Sequence, residues 1–355
     1  MMTGNGDTPG LDAIFRRLIS ATGPITVAHY MAEANAHYYG KREALGATGD
    51  FITAPEISQM FGEMVGIWLA DQVLRAGKPS PCHYVELGPG RGTLARDALR
   101  AMAQFGLSPQ VHLIEGSERL RHIQRERVPE ARWHDALDSV PREGPLLVVA
   151  NEFLDALPVR QLVATDQGWR ERVVVHNGER FMPVAGARPM DNAVRAELCT
   201  SPPGTILETC SAASGYAFEI ATRLKAQGGT ALFIDYGYTA PQTGSTLQAV
   251  RDHQQVDPFA DPGECDLSAL VDFAQLKQIA LAADVDCLGP VAQGDWLMAL
   301  GIGARAAALA KSDPAQAGAL DVALDRLVAP EQMGALFKVI AYRGPGWPQG
   351  EGFGG

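Results

Sequence analysis

Apolar residues recur three and four positions apart over 11–20 and 26–39, and again through Met60, Met64, Ile67, Trp68 and Leu74 within 56–75. The pattern predicts a helical opening, broken by a loop over 46–55. Short continuous apolar runs over 84–87, 111–115 and 146–150 read instead as buried strands, separated by helical stretches over 94–105 and 118–127. Such alternation predicts an α/β fold with a parallel sheet covered on both faces. After Leu157 the period shortens to two. The runs 159–163, 169–176 and 180–184, with Asn177-Gly178 as a turn, read as a β-hairpin region inserted into that fold, and 206–208 adds a short strand. Helix resumes over 214–227 and a buried strand follows over 229–235. A helix over 267–283 is expected with Asp266 as its N-cap, then alanine-rich helices over 296–311 and 315–327, a closing strand over 336–342 and a frayed Gly-rich tail over 345–355.

This pattern suggests a helical segment with a lid loop over 1–80 and a core over 81–250 carrying the hairpin insertion at about 158–208. A mainly helical accessory region over 251–335, a closing strand over 336–343 and a flexible tail over 344–355 complete the expected division.

Composition narrows the function. The 355 residues are 46% hydrophobic and 20% charged, enough to bury a sizeable core. A formal net charge of −11 argues against nonspecific nucleic-acid binding, which needs a positive footprint, and favours a cationic substrate or partner. Cys82, Cys199, Cys210, Cys265 and Cys287 are scattered, with no Cys-x-x-Cys pair, and read as reduced thiols. No ligand-spaced cluster suggests a metal. Residues 1–10 carry Asp7 and no Lys or Arg, so neither a signal peptide nor a presequence is expected there, and a bacterial cytoplasmic location is the reading. No apolar run is long enough to span a membrane.

The segment richest in chemistry runs Val85-Glu86-Leu87-Gly88-Pro89-Gly90-Arg91-Gly92-Thr93. Closely spaced glycines let a backbone turn sharply against a ligand, and the helix that follows aims free N–H groups at it. A dinucleotide fingerprint would require its third glycine where Thr93 stands, which weakens a dehydrogenase reading. Glu86 would repel a pyrophosphate but suits a ligand bearing an ammonium and a sulfonium, as S-adenosyl-L-methionine does. Glu115, at the end of the next apolar run, is placed to read ribose hydroxyls.

Ligands of such sheets bind past the carboxyl ends of the strands. Asn151-Glu152-Phe153-Leu154-Asp155 follows one strand, and in an N-methyltransferase that position holds the acceptor nitrogen, with carboxylates fixing its hydrogens and a ring stacking on it. Glu152 and Asp155 would share a face if a helical turn starts there, and acids at a helix start also favour the macrodipole. Asp235, past the next strand, is a second acceptor candidate or a turn former. Asp135, after Trp133-His134, is placed to meet an adenine amine. His134 by itself reads as a loop residue. The polar segment 49–59, with Asp50, Thr53, Glu56 and Ser58, has the character of a lid or of a helix-capping loop.

Taken together, Tyr39, Gly49-Asp50-Phe51, Phe61-Gly62-Glu63, the glycine loop, Asn151-Glu152-Phe153, Asp155-Ala156-Leu157-Pro158, Asp235-Tyr236-Gly237, Asp266-Leu267, Val271-Asp272-Phe273 and Phe337-Lys338-Val339 resemble the MidA family. The mitochondrial members of that family are complex I assembly factor seven. The resemblance covers about 11–343. It implies a seven-stranded Rossmann-like methyltransferase sheet with an additional smaller, largely helical domain, and S-adenosyl-L-methionine as cofactor. It further implies methylation of an arginine in a protein; the mitochondrial relatives act on a complex I subunit, which leaves this chain's own target open. On this reading Glu152, Asp155, Phe153 and Asp235 carry the transfer, and Glu86, Gly88, Gly90, Gly92, Glu115, Asp135, Asn151 and Thr53 bind the cofactor. The rival readings are a small-molecule N- or O-methyltransferase and an assembly chaperone that holds the cofactor as a structural ligand.

Overall fold

A computed structural model of the protein describes residues 10–41, 53–251 and 254–354. Asp50 and the rest of 49–52, part of the expected lid, lie outside the described residues. The chain divides into two compact units, each assembled from separate stretches of sequence.

The larger unit comprises 45–155, 213–241 and 270–355. Seven strands of its sheet lie in one path, in the order Asp286–Ala292, Phe337–Arg343, Gly229–Tyr238, Leu146–Asn151, His83–Leu87, Gln110–Ile114 and Arg132–His134. Five adjacent strands, from Gly229–Tyr238 to Arg132–His134, are parallel, and Phe337–Arg343 is antiparallel to both of its neighbours. His83–Leu87 and Leu146–Asn151 are buried along their whole length, which is why neither alternates between apolar and polar positions. Helix Gln59–Arg75 packs closely on Thr93–Ala103 because Gly66 faces it: a Cβ there would lie 2.3 Å from the Ala98 carbonyl oxygen. Among the described residues no helix is long and apolar enough to cross a membrane.

The smaller unit comprises 1–44, 156–212 and 242–269. Its helices Leu11–Thr22 and Val27–Lys41 accompany two antiparallel sheets, one containing Ile25–Thr26, Arg160–Thr165, Gly168–His176, Phe181–Pro189 and Ile206–Thr209, the other Gln248–Arg251, Gln254–Val256 and Asp266–Ser268. Phe15 and Phe259 flank Tyr30 with ring centroids 5.1 and 5.3 Å from it.

Several expectations change. The hairpin region groups with the N-terminal helices, and most of the helices of 251–335 belong to the larger unit, so the smaller unit is sheet-rich. Asp266 is not a helix cap. It lies in a strand and accepts from the Tyr39 hydroxyl at 2.7 Å, while the helix Phe273–Ala282 is capped by Asp272, whose carboxylate accepts from Gln275 N–H at 2.9 Å. The strand Asp286–Ala292 carries Gly289 and Pro290 and has no alternating pattern to announce it. The 296–311 helix is two helices, separated at Gly301, whose φ of 87° is left-handed. Nor is the tail frayed: Phe353 is buried against Trp68 and Trp296, and Glu351 accepts from the Trp68 indole through its carbonyl at 3.0 Å.

Candidate functional site

In the larger unit the parallel strands finish level with one another. Leu87 is registered with Ile114 and Ala150, Ile114 with His134, and Ile234 with Asn151. The candidate residues therefore emerge at one edge of one sheet.

Gly88, Gly90 and Gly92 have φ of 59°, 53° and 79°, a region that side-chain-bearing residues resist, so the loop needs glycine at all three. Gly88 has a second reason. Its Cβ would lie 2.6 Å from Phe153 Cδ2, so the ring of Phe153 sits directly on the loop. Gly92 caps the helix Thr93–Ala103, whose first N–H groups face the loop. Beneath them Glu86 is 2% exposed and accepts from the Tyr84 hydroxyl at 2.5 Å. Burial pushes its carboxyl up to about 7, against the opposing pull of that hydroxyl.

Glu115 follows Ile114. One of its oxygens accepts from Ser117 N–H at 2.8 Å and the other from the Gln124 amide at 3.2 Å. Burial raises its carboxyl, and these hydrogen bonds oppose the rise. Asp135 stands at the next strand end with a side chain 91% exposed, paired with Arg121 at 2.5 Å. Arg121 also donates to the Glu115 carbonyl, so Asp135 closes the rim through an arginine that the sequence did not single out.

Glu152 has φ 49°, left-handed and costly for a residue with a Cβ, roughly 1–3 kcal/mol. Its N–H donates to Ile234 at 2.9 Å, and its Oε1 accepts from Ala54 N–H at 2.9 Å and from the Asn151 amide at 3.1 Å. The other atom of that amide, Asn151 Oδ1, is buried and has no hydrogen-bond partner among the described residues. Phe153 meets Tyr216 edge-on, with centroids 5.1 Å apart.

No helix starts at Glu152. The segment turns, and the turn is held by Asp235: its Oδ2 accepts from Leu154 N–H at 2.9 Å and Asp155 N–H at 3.2 Å, and its Oδ1 from Tyr236 N–H at 2.9 Å. Asp235 is thus drawn into the backbone, nearer the turn former of the two expected readings. Burial and the nearby Glu152 charge push its carboxyl up, and the three N–H groups hold against them. Asp155 is buried in the same turn.

The described part of the expected lid, 53–59, is ordered around this edge. Thr53 precedes the short helix Ala54–Ile57, with its carbonyl accepting from Glu56 and Ile57, and Ser58 caps the helix Gln59–Arg75. Thr53 itself makes no side-chain cap. Glu56 accepts from the Thr93 hydroxyl at the mouth of the glycine loop, and Arg127 Nη1 lies 3.6 Å from Glu56.

Sequence reading overlooked Gln124, fully buried on helix Glu118–Arg127. Its signal was available: a neutral polar residue one position after Ile123, on the apolar face of an otherwise arginine-rich helix. His134 is likewise no loop residue. It ends a strand, and a line of imidazoles crosses the sheet from His83 through His112 to it, with nitrogens 3.0 and 2.9 Å apart.

The residues at this edge fit the expected cofactor. Left-handed glycines open a path to the backbone, a buried acid lies under the loop, a second acid stands at the next strand end, and the side-chain amide oxygen of Asn151 lacks a partner among the described residues. A family model described as "Putative S-adenosyl-L-methionine-dependent methyltransferase" matches residues 64–291. Among curated proteins, the chain is 37% identical to "Protein arginine methyltransferase NDUFAF7, mitochondrial" of Danio rerio, over 91% of this chain and 84% of that one. It is 36% identical to the Homo sapiens protein of the same name, over 91% and 81%. A solved Burkholderia thailandensis structure bound to S-adenosyl-homocysteine is similar with a TM-score of 0.79 at 28% identity, covering 98% of this chain and 96% of that one. The expectation of a bacterial cytoplasmic location is corrected by these findings, because the curated relatives are named as mitochondrial proteins of eukaryotes.

Proposed function

This chain belongs to the MidA-like family of S-adenosyl-L-methionine-dependent methyltransferases, and from that premise we propose that it methylates a guanidinium nitrogen of an arginine in a protein substrate. The observation that carries the proposal is the pairing of Glu152 with Phe153 at the strand end beside the glycine loop, an acid and a ring next to the expected donor.

In this reading Glu86, the loop from Gly88 to Gly92, Glu115 and Asn151 hold the cofactor, and Asp135 and Thr53 border it. When bound, the cofactor supplies a methyl group activated by a sulfonium, so the protein's task is alignment and placement of charge. Glu152 would take N–H groups of the guanidinium as charge-assisted hydrogen bonds and turn one nitrogen toward the methyl carbon; as the N–C bond formed, the S–C bond would break to leave S-adenosyl-homocysteine, and the displaced N–H proton would pass to Glu152 or to solvent. Ala54 N–H and the Asn151 amide hold that carboxylate in place beforehand. Phe153, pinned between Gly88 and Tyr216, limits the orientation of the guanidinium plane. Asp235 positions the turn that carries Glu152 and Asp155. The substrate class is supported by the name of the curated relatives, and the resemblance to mitochondrial assembly factors makes a complex I subunit the first target to examine.

Two measurements test the proposal. Proteomic mass spectrometry of cells with and without the gene should find a methylarginine that disappears with it; an unchanged methylarginine inventory counts against arginine as substrate. Glu152→Gln should lower turnover by two decades or more, roughly 3 kcal/mol of transition-state stabilisation, with S-adenosyl-homocysteine affinity within twofold of the parent. Equal losses in both would move Glu152 to the cofactor.

A further inference from the structure

We infer that Gln124 is a positioning residue for the methyl transfer, holding the glycine loop and Glu115 at the separation that the cofactor needs. The inference rests on the reading of those two groups as cofactor contacts. Gln124 Nε2 donates to the Gly90 carbonyl at 2.7 Å and to Glu115 Oε2 at 3.2 Å, and its Oε1 accepts from the Trp133 indole at 2.7 Å. The side chain is fully buried. The orientation of the amide is unambiguous, because an indole N–H only donates and the other two partners only accept at these atoms. Reversing the amide would break all three bonds.

One amide thus joins three consecutive strand ends: the loop after His83–Leu87, the acid after Gln110–Ile114 and the ring in Arg132–His134. Its helix adds two neighbours at a spacing of three. Arg121 donates to the Glu115 carbonyl at 2.7 Å and Arg127 to the Thr93 hydroxyl at 2.5 Å. The same face of Glu118–Arg127 therefore grips both loops, and Gln124 is the member that bonds a glycine-loop carbonyl and the Glu115 carboxylate at once. It bonds the loop through the Gly90 carbonyl and so occupies none of the loop N–H groups, and it keeps Glu115 turned toward the loop. A neutral amide suits this task. A carboxylate in its place would face the Gly90 carbonyl and Glu115 with no proton to donate, and an apolar side chain would leave both without their donor.

The test uses the purified full chain and calorimetric binding of S-adenosyl-homocysteine, with thermal unfolding measured alongside. Gln124→Met keeps the length and loses the hydrogen bonds, and should weaken binding roughly tenfold. It should raise KM for the methyl donor by a similar factor and leave kcat within twofold. Gln124→Glu, though nearly identical in shape, should bind more weakly than Gln124→Met at pH 8; a packing role predicts the reverse order. Trp133→Phe, which removes the donor orienting the amide and trims the indole that Arg125 stacks on, should weaken binding by a few fold and keeps the test open if a Gln124 variant misfolds. Gly90→Val serves as the reference. If it abolishes binding while Gln124→Met and Gln124→Glu bind like the parent, the inference fails alone. If Gly90→Val also binds like the parent, the cofactor reading fails and takes the inference with it.

Discussion

Glu86 shows what burial does to a single side chain. The sequence places an acid before the glycine loop and leaves its ionisation open; the fold buries it beside Tyr84 and pushes its carboxyl up to about 7. For folding, the sign is that of a raised acid. The native chain binds the proton more tightly, so this contribution is full below the unfolded value and is lost as pH rises through about 7. For binding, the sign reverses: a cationic ligand prefers the carboxylate, so affinity for S-adenosyl-L-methionine should weaken as pH falls below about 7, by at most about tenfold per pH unit. Calorimetry from pH 5.5 to 8 should show this slope in the parent and a flatter one in Glu86→Gln. Parallel slopes would mean that Glu86 does not feel the ligand's charge. Asp235 carries a related lesson, since sequence position made it an acceptor candidate and three backbone N–H groups make it a clamp.

Among elements, three adjacent strands carry the imidazole line. His83 Nε2 faces the Glu143 carbonyl at 2.7 Å, which can only accept, so that nitrogen carries the hydrogen. His83 Nδ1 then accepts from His112 Nε2–H, and His112 Nδ1 from His134 Nε2–H. A second proton on His112 would meet an N–H already pointing at it. Burial, with His134 and His83 beside it, accordingly lowers the His112 value to about 4. The native chain binds fewer protons than the unfolded one between about 4 and the unfolded value, so this stability is complete above the unfolded value and is lost as pH falls toward 4. The contribution is no more than about 3 kcal/mol. Urea unfolding at a series of pH values should show the parent losing stability relative to His112→Gln between pH 6.5 and 4.5. A constant difference would show that His112 does not titrate on unfolding. None of this line was legible in the sequence, because the three histidines lie on separate strands and meet only through parallel register.

In the molecule as a whole, each unit draws on three stretches of chain, and the smaller one shows how they are tied. Asn35, 6% exposed, donates to the Ala156 carbonyl at 3.0 Å and the Leu267 carbonyl at 2.8 Å, and accepts from Leu267 N–H at 3.1 Å. One amide therefore joins the N-terminal helix to both of the other segments. Asn35→Ala would strand buried backbone groups on both, at a cost of roughly 2–4 kcal/mol. Thermal unfolding should show a clear fall in Tm. A shift of less than a degree would mean that water replaces the amide without loss.

Local pattern and motif sufficed for a good deal of this protein. The parallel strands, the helices between them, the glycine loop and the acids at the strand ends each announce themselves within a few residues, because period, glycine spacing and strand-end position are properties of a short stretch of chain. The family was legible for the same reason. What the tertiary structure alone decided depends on residues distant in sequence: the grouping of 10–44 with 156–212 and 242–269, the docking of the tail on Trp68, the clamp at Asp235 and the bridge at Gln124. Burial and hydrogen-bond partners belong to the packed chain, and the same side chain takes a different role according to which strand end or helix face is brought against it.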